Sequence, residues 1–383
     1  MYFVVIFLGY RKMPHLSKNP PKIPLKNPPL ISIIIPSRNE EHRIGKCIQT
    51  LKSQTYQKLE FIVVDDSTDN TVEIIKNIVK DDKRFKLIKQ EKLPKGWIGK
   101  PFALQQGSKI AKGEFLLFID ADTYYDPVLI ERAVDYVLQN KLDMLSLAPR
   151  HICKSFWEKV IQPIPLGALP AASPLAKVND PKSKVALAGG PFLMIKHSVF
   201  KKIGGYQTIK GCIADDTTLA KVVKTSGFRL GLINAQSMMS LRMYEKFSEI
   251  WEGWSKNSFL GLVQKREINS KLLQIAILLG ILFIMFYVLV FPFSVMIISI
   301  YMTLVLRSLL WQNLLLLALL TWIISVLAVV YVQRCFHIGK ARYAPLTIFL
   351  GGIIMMGIFL NSASKTLSGK GVTWKGRTYS SEK

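Results

Sequence analysis

The sequence predicts an α/β domain with a mostly parallel, Rossmann-like sheet, followed by a C-terminal bundle of transmembrane helices. Three observations carry this. Between Leu30 and about Gly261, short apolar runs alternate with amphipathic stretches, which is the pattern of βαβ units. Beyond Lys271 lie uncharged runs long enough to cross a bilayer. Pro36, Asp65-Asp66 and Asp120-Ala121-Asp122 each follow one of the apolar runs. Ligands of parallel sheets sit outside the carboxyl ends of the strands, so these three ends should converge on one crevice.

In chain order, residues 1–29 form a basic, Pro-rich N-terminal segment. Met1–Tyr10 is apolar but too short to span, and it lacks the basic start and cleavage site of a signal peptide. It either lies in the membrane interface or precedes a start at Met13. Arg11, Lys12, Lys18, Lys22 and Lys26 follow with no acid among them, an extended linker suited to anionic headgroups. The catalytic domain is expected over 30–261. Ile31–Pro36 is a β-branched strand, Glu41–Gln54 an amphipathic helix, Leu59–Val64 a strand and Thr71–Asp81 a helix. Phe85–Lys89, Phe102–Ala111 and Phe115–Ile119 continue as strand, helix and strand.

The membrane region is expected over 271–363, with three to four helices, and a basic cytosolic tail over 364–383. Leu272–Leu289, Pro292–Leu306, Asn313–Val332 and Ala344–Leu360 are the candidate spans, with Pro292 the only break between the first two. Lys365, Lys370, Lys375 and Arg377 put the tail on the cytosolic side with the catalytic domain. Four spans achieve this but leave Arg334–Arg342 on the opposite side; three spans reverse the problem.

The bulk numbers agree with a membrane protein. The chain has 383 residues, half of them hydrophobic, and a mean hydropathy of +0.25. The net charge is +25, which suits an anionic membrane surface and a phosphate-bearing substrate. No helix-turn-helix, zinc-finger or RNP-like pattern points to nucleic acid. Cys47, Cys153, Cys212 and Cys335 are far apart, without the spacing of a disulfide framework or a zinc site. Reduced thiols facing the cytosol fit best.

The chemistry centres on Asp120 and Asp122. Two carboxylates at i and i+2 past a strand end can share a hard divalent cation, Mg²⁺ or Mn²⁺, with phosphate oxygens. Such a cation neutralises a departing diphosphate. A solvated turn is the plainer alternative for the triplet alone. Asp65 and Asp66 can accept from a uracil imide or from ribose hydroxyls, or can cap the next helix. Lys95–Pro101 is a Gly/Lys loop before a helix, and its N–H groups and Lys100 suit phosphate; a plain basic turn is the alternative. Asp215-Asp216 opens a helical Thr217–Lys224 stretch. Asp216 reads as a general base toward an acceptor hydroxyl, or either carboxylate as a helix cap. Trp251, Trp254 and Lys256 offer an aromatic wall and a cation, or interfacial anchors.

Ile33-Ile-Ile-Pro36-Ser-Arg-Asn-Glu-Glu41, Val63-Val-Asp65-Asp66-Ser-Thr-Asp69, Asp120-Ala-Asp122 and Asp215-Asp216-Thr-Thr-Leu219 together resemble glycosyltransferase family 2. The resemblance covers roughly Leu30 to Leu260. It implies a nucleotide-sugar-binding (GT-A) fold facing the cytosol of a bacterial inner or cytoplasmic membrane. Lys95–Lys100, Arg242-Met-Tyr244, Glu252–Lys256 and Val372–Arg377 look like counterparts in membrane glycosyltransferases of isoprenoid-derived lipids, carotenoid and hopanoid among them. Carried over, the likeness puts Pro36, Arg38, Glu40, Asp65, Asp66, Lys100 and Asp120 on the donor, a UDP-sugar first. It puts the metal on Asp122 with Asp120, makes Asp216 the base, and assigns Gly190, Asp215, Trp251, Trp254 and Lys256 to the acceptor. One departure is visible. Polymerising and ceramide-type relatives carry Gln/Arg-x-x-Arg-Trp, whereas Ile250–Trp254 keeps only the Trp, which argues against polysaccharide synthesis. The expected reaction is inverting transfer to a hydroxyl or carboxyl of a lipid that enters past Ile161–Ala176. Transfer to a polyprenyl phosphate or a ceramide-type lipid, and a degenerate membrane scaffold, are the alternatives.

Overall fold

The computed structural model describes residues 13–19, 27–171, 175–265, 268, 270–338 and 340–379. The apolar start Met1–Tyr10 and most of the basic linker's cations lie outside them. The chain divides into two compact units, one built on Phe7–His151 and Ser173–Met243, the other on Ile152–Ala172 and Tyr244–Glu382.

The first unit is the α/β domain. Its strands β1 (Ile31–Ser37), β2 (Leu59–Asp65), β3 (Phe85–Lys89) and β4 (Phe115–Phe118) alternate with helices α1 (Ile44–Lys52), α2 (Thr71–Val79) and α3 (Gly99–Ile110). Every residue of β2 is buried, as expected of a parallel strand covered on both faces. Helix α1 buries Ile44, Cys47, Ile48 and Leu51, the i, i+3, i+4, i+7 stripe of an amphipathic helix. At Gly107 of α3 a Cβ would fall 2.5 Å from Ile34 Cγ2; glycine lets this helix lie directly on β1. Pro36 is tolerated in β1 because β4 pairs only as far as Ile34, so the missing N–H falls where that side of the ladder has ended.

The chain continues through β5 (Thr123–Tyr125), α4 (Leu129–Gln139), β6 (Met144–Ala148) and β7 (Arg150–His151). It leaves for the second unit through α5 (Phe156–Ile161) and α6 (Pro163–Ala171), and returns at β8 (Leu193–Lys196), α7 (His197–Lys202), α8 (Asp215–Thr225), β9 (Leu230–Asn234) and β10 (Met239–Leu241). The main sheet runs β3-β2-β1-β4-β8-β6-β9. It is parallel except at β8, which runs antiparallel to β4 and β6. Strands β5, β10 and β7 make a small second sheet.

The second unit is helical. Helix α5 opens on a capping box, with Ser155 and Glu158 exchanging side-chain-to-backbone bonds. Then come α9 (Phe247–Ser255), a π turn (Lys256–Leu260) and α10 (Gly261–Lys265). Three helices are long and apolar enough to cross a membrane: α11 (Lys271–Leu306), α12 (Leu309–Cys335) and α13 (Ala341–Leu367). A short hairpin, β11 (Val372–Trp374) and β12 (Arg377–Tyr379), ends the described chain. Leu272, Leu304 and Leu309 are 81%, 73% and 70% exposed, a surface that water does not tolerate at this density and lipid does.

Two sequence expectations change here. The four candidate spans lie on three helices, because the first two belong to the single helix α11. A π turn at Phe286–Val290 widens α11 just before Pro292, and the proline, which lacks an N–H and crowds the preceding turn, is accommodated without a break. The stretch 152–171 also folds with the helices instead of the sheet: a Cβ at Gly167 of α6 would fall 3.0 Å from Val332 of α12.

Candidate active site

The sheet's carboxyl edge collects the acidic motifs. Ser37 at the end of β1 pairs in register with Asp65 at the end of β2. Asp65 is buried and accepts from Ser37 Oγ at 2.6 Å, Ser67 Oγ at 2.7 Å and Ser67 N at 2.9 Å. Asp66 pairs with Arg38, whose guanidinium also donates to the Asp66 carbonyl at 3.0 Å. Glu40 lies 3.6 Å from Arg43 Nη1. The two first motifs are thus stitched to each other across neighbouring strands.

The second cluster forms where β4 ends. Lys100, in the first turn of α3, reaches Asp120 Oδ1 at 2.5 Å. Because β8 is antiparallel and Leu193 pairs with Phe118, the residues before β8 arrive at the same edge. Gly190 is among them. A Cβ there would fall 2.7 Å from Lys100 Nζ and 3.1 Å from Asp120 Oδ2, so any larger residue would have to displace the Lys100 ammonium from its place beside Asp120. The Gly190 N–H donates to Asp216 Oδ2 at 2.9 Å, and Thr217 N donates to Asp216 Oδ1 at 2.6 Å. Lys100, Asp120, Gly190 and Asp216 therefore meet at one place.

Electrostatics follow from this crowding. Burial pulls the Lys100 ammonium down, but Asp120, Asp215 and Asp216 outweigh it and hold its pKa above the usual lysine range. Burial raises the Asp216 carboxyl, with Lys100 and the two backbone N–H groups opposing. Burial, then Asp215, Asp216 and Asp120, push Tyr206 well up, so a neutral phenol sits beside the cluster. Beneath it, Cys47 Sγ lies 3.8 Å from the Asp120 carbonyl oxygen. Its thiol is raised by burial, then by Asp122, Glu40 and Asp120.

Among the described residues no group of three or more His, Cys, Asp or Glu could hold a metal ion. Asp120 and Asp122, which both act on the Cys47 thiol, are a hard, all-oxygen pair. They fit Mg²⁺ or Mn²⁺ only as part of a shell that a phosphate-bearing ligand and water complete.

Trp251, Trp254 and Lys256 belong to the helical unit. Trp254 is buried, donates through Nε1 to Gln162 Oε1 at 2.9 Å and meets Tyr244 edge-on. Lys256 lies over the rings of Trp374 and Tyr379, and Trp251 packs near Gly357. Ser37 and Tyr206 were not singled out from the sequence, and Ser67 only as a rival cap of the following helix. The two serines lie inside the quoted motifs and could have been found there as partners of Asp65; Tyr206 carries no local signal.

The fold is a Rossmann-like α/β domain with acidic clusters at the carboxyl edge of its sheet, and comparison with known proteins says what it is similar to. Residues 32–204 match the model of glycosyl transferase family 2. More particularly, the chain is 26% identical over 234 residues to a 4,4'-diaponeurosporenoate glycosyltransferase of Staphylococcus haemolyticus, covering 60% of this chain and 61% of that protein. The Staphylococcus aureus protein of that description is likewise 26% identical over 240 residues, with the same coverage. The alignment thus spans about three-fifths of the length of these curated relatives. The fold is similar to that of a mannosyltransferase from Pyrobaculum calidifontis, solved with GDP-Man and Mn²⁺, at TM-score 0.50 and 18% identity over 95% of both chains.

Proposed function

We propose that the protein is a membrane-bound inverting glycosyltransferase. It moves a sugar from a nucleotide-sugar donor, a UDP-sugar first, to a hydroxyl or carboxyl of an isoprenoid-derived lipid. The observation that carries this is the meeting of Lys100, Asp120 and Asp216 around Gly190 at the sheet's carboxyl edge, in a stretch that matches the family 2 model. The resemblance to the carotenoid-acid transferases favours the lipid class.

In this reading Pro36 and the Arg38–Asp66 and Ser37–Asp65 pairs bind the nucleoside, with Glu40 bracing Arg43. Lys100 faces the diphosphate, where its charge stabilises the leaving group. Asp120 and Asp122 would hold Mg²⁺ or Mn²⁺, which supplies further charge neutralisation when bound. Asp216, raised by burial, takes the acceptor proton, and a base with an elevated pKa is the better catalyst near neutrality. Asp215 and Gly190 shape the acceptor side. Trp251, Trp254 and Lys256 would act on the lipid, Trp254 through the wall it builds with Gln162. Purified protein given UDP-[¹⁴C]glucose and a carotenoid acid in liposomes should form labelled glycolipid, and lipids from cells with and without the gene should differ by one hexose mass. An unchanged lipid profile, with no donor consumed for any nucleotide sugar, would refute it.

A further inference from the structure

We propose that the Lys224 ammonium fills a site for a monovalent cation, a cage of backbone carbonyl oxygens, and that this filled cage fixes the segment 177–190 so that Gly190 meets Asp216 and Lys100. The effect of Lys224 on turnover rests on the transferase reading; the cage does not.

Lys224 lies in the last turn of α8. A lysine there ordinarily answers the open carbonyls of its own helix. Lys224 reaches another part of the chain instead. Its Nζ donates to the carbonyls of Val178, Val185 and Asp180 at 2.8, 2.9 and 3.0 Å, with the Lys177 carbonyl further out at 3.4 Å. An ammonium has three protons, and the three short bonds use all of them. Four peptide dipoles thus turn their negative ends toward one point. Without a positive charge there they repel each other. With one, they hold it as rings of carbonyls hold K⁺.

The cage holds a stretch that has no helix or strand of its own over 178–190. Such a long irregular segment keeps one shape only if its peptide groups find partners. The partners come from the core of the same α/β unit. The Asn179 side chain closes onto Leu232 of β9, donating to its carbonyl at 3.0 Å and accepting from its N–H at 2.6 Å. Ser146 Oγ of β6 accepts from Gly189 N at 2.9 Å, and Thr217 Oγ1 donates to the Ala188 carbonyl at 3.2 Å. Gly190 N then donates to Asp216 at 2.9 Å. Asp216 and Thr217 open α8, and Lys224 stands near its close. One helix therefore splints the segment at two places, set apart by a rise of about 12 Å from Asp216 to Lys224.

Such a cage reads charge and radius, not the lysine stem. Cut back to alanine, position 224 leaves the carbonyls around an opening the size of an ammonium group. Free NH₄⁺ or K⁺ fits it in charge and radius; Li⁺ is too small to touch all the oxygens and choline too large to enter. Lys224 is only partly buried, so an ion from water can reach the place. With the cage empty, the carbonyls move apart and the segment slackens. Gly190 then loses its hold on Asp216, and the Lys100 ammonium is no longer confined beside Asp120.

The test uses full-length protein in detergent, as Lys224→Ala and Lys224→Met, with Lys224→Ser as a second open variant, in chloride salts of equal ionic strength. In Lys224→Ala the amides of 178–185 and of Gly190 should exchange with deuterium at least about tenfold faster than in the wild type. Trypsin should cut sooner after Lys182 and Lys184, which are exposed. NH₄⁺ or K⁺ should restore both readouts, and Li⁺ or choline neither. Lys224→Met, whose stem plugs the opening without charge, should be as loose and indifferent to every cation, and the wild type should be indifferent too. In turnover, kcat of Lys224→Ala should fall by about tenfold and return with NH₄⁺, with donor Kd unchanged. Unaltered exchange in every variant would mean that the ammonium does not hold the segment. Loosening that no cation reverses, or that Li⁺ and choline reverse as well, would mean that there is no cage. Loosening that stops short of Gly190, or leaves kcat untouched, would mean that the segment does not place Gly190. Each of these overturns the proposal. A wild type that consumes no nucleotide sugar refutes the transferase reading alone, because exchange and proteolysis decide the cage and the hold on Gly190 without turnover.

Discussion

The two acidic clusters on the sheet edge are built in opposite ways. Around Asp65 and Asp66 each carboxylate has local partners: serine hydroxyls, a backbone N–H and one guanidinium. Around Asp120 and Asp216 the single Lys100 ammonium answers to three carboxylates at once. The first cluster is finished before any ligand arrives. The second holds like charges close together, which costs stability and shifts pKa values, and such a site is completed by an incoming ligand and cation. In the proposed reading a preformed nucleoside cradle and a reaction centre thus stand side by side on one edge.

The largest expected effect breaks the second cluster. Asp216→Asn should lose transfer by at least about a hundredfold, the usual scale of general-base loss, with donor affinity unchanged in a calorimetric titration. Near-normal turnover on a neutral acceptor would remove the base assignment. Asp122→Ala should abolish the dependence of donor binding on Mg²⁺ or Mn²⁺, because Asp120 alone cannot hold the cation against water; unaltered, chelator-indifferent binding would contradict it. Gly190→Ala should cost about tenfold or more in kcat through displaced Lys100 and Asp120, with the melting temperature little moved.

Variants of the first cluster, besides weakening donor binding, should answer in stability. Asp65→Ala strands two hydroxyls and an N–H, at about 1–3 kcal/mol by urea titration. Asp66→Ala, at a pair about a quarter exposed, should cost less than about 1 kcal/mol. Equal losses would erase the contrast.

The smallest effect is in pH. Burial sets the Asp216 carboxyl above its ordinary 3.8. The active carboxylate is lost as pH falls through that raised value, so the acid limb of kcat lies above 3.8. Lys100 is the largest influence lowering it. In Lys100→Met the limb should therefore move further up, whatever the drop in rate; a downward shift would contradict the arrangement.

Much of this was legible in the residues. The strands at Ile31, Leu59, Phe85 and Phe115 came through because a buried parallel strand is a nearly continuous apolar run, and the acidic pairs because they end such runs. What was hidden depends on chain reversals. The antiparallel course of β8, which brings Gly190 beside Lys100, leaves no periodic trace in Leu193–Lys196. Tyr206 reaches the cluster from a turn, and the π turn that carries α11 through Pro292 reads locally as a break.

The π turns themselves have a consequence for how this region can vary. Phe286–Val290 in α11 and Thr347–Gly351 in α13 meet where a Cβ at Gly352 would fall 2.9 Å from Leu289. Each wide turn absorbs one residue beyond the α-helical count. Deleting a single residue from 286–290 would leave a regular helix of equal hydrophobicity, yet rotate everything after it by about 100°. Hydropathy would not register the change, but the part of α11 after the turn would present another face to its neighbours. In this part of the chain length is a specification, and insertions and deletions are more disruptive there than apolar substitutions.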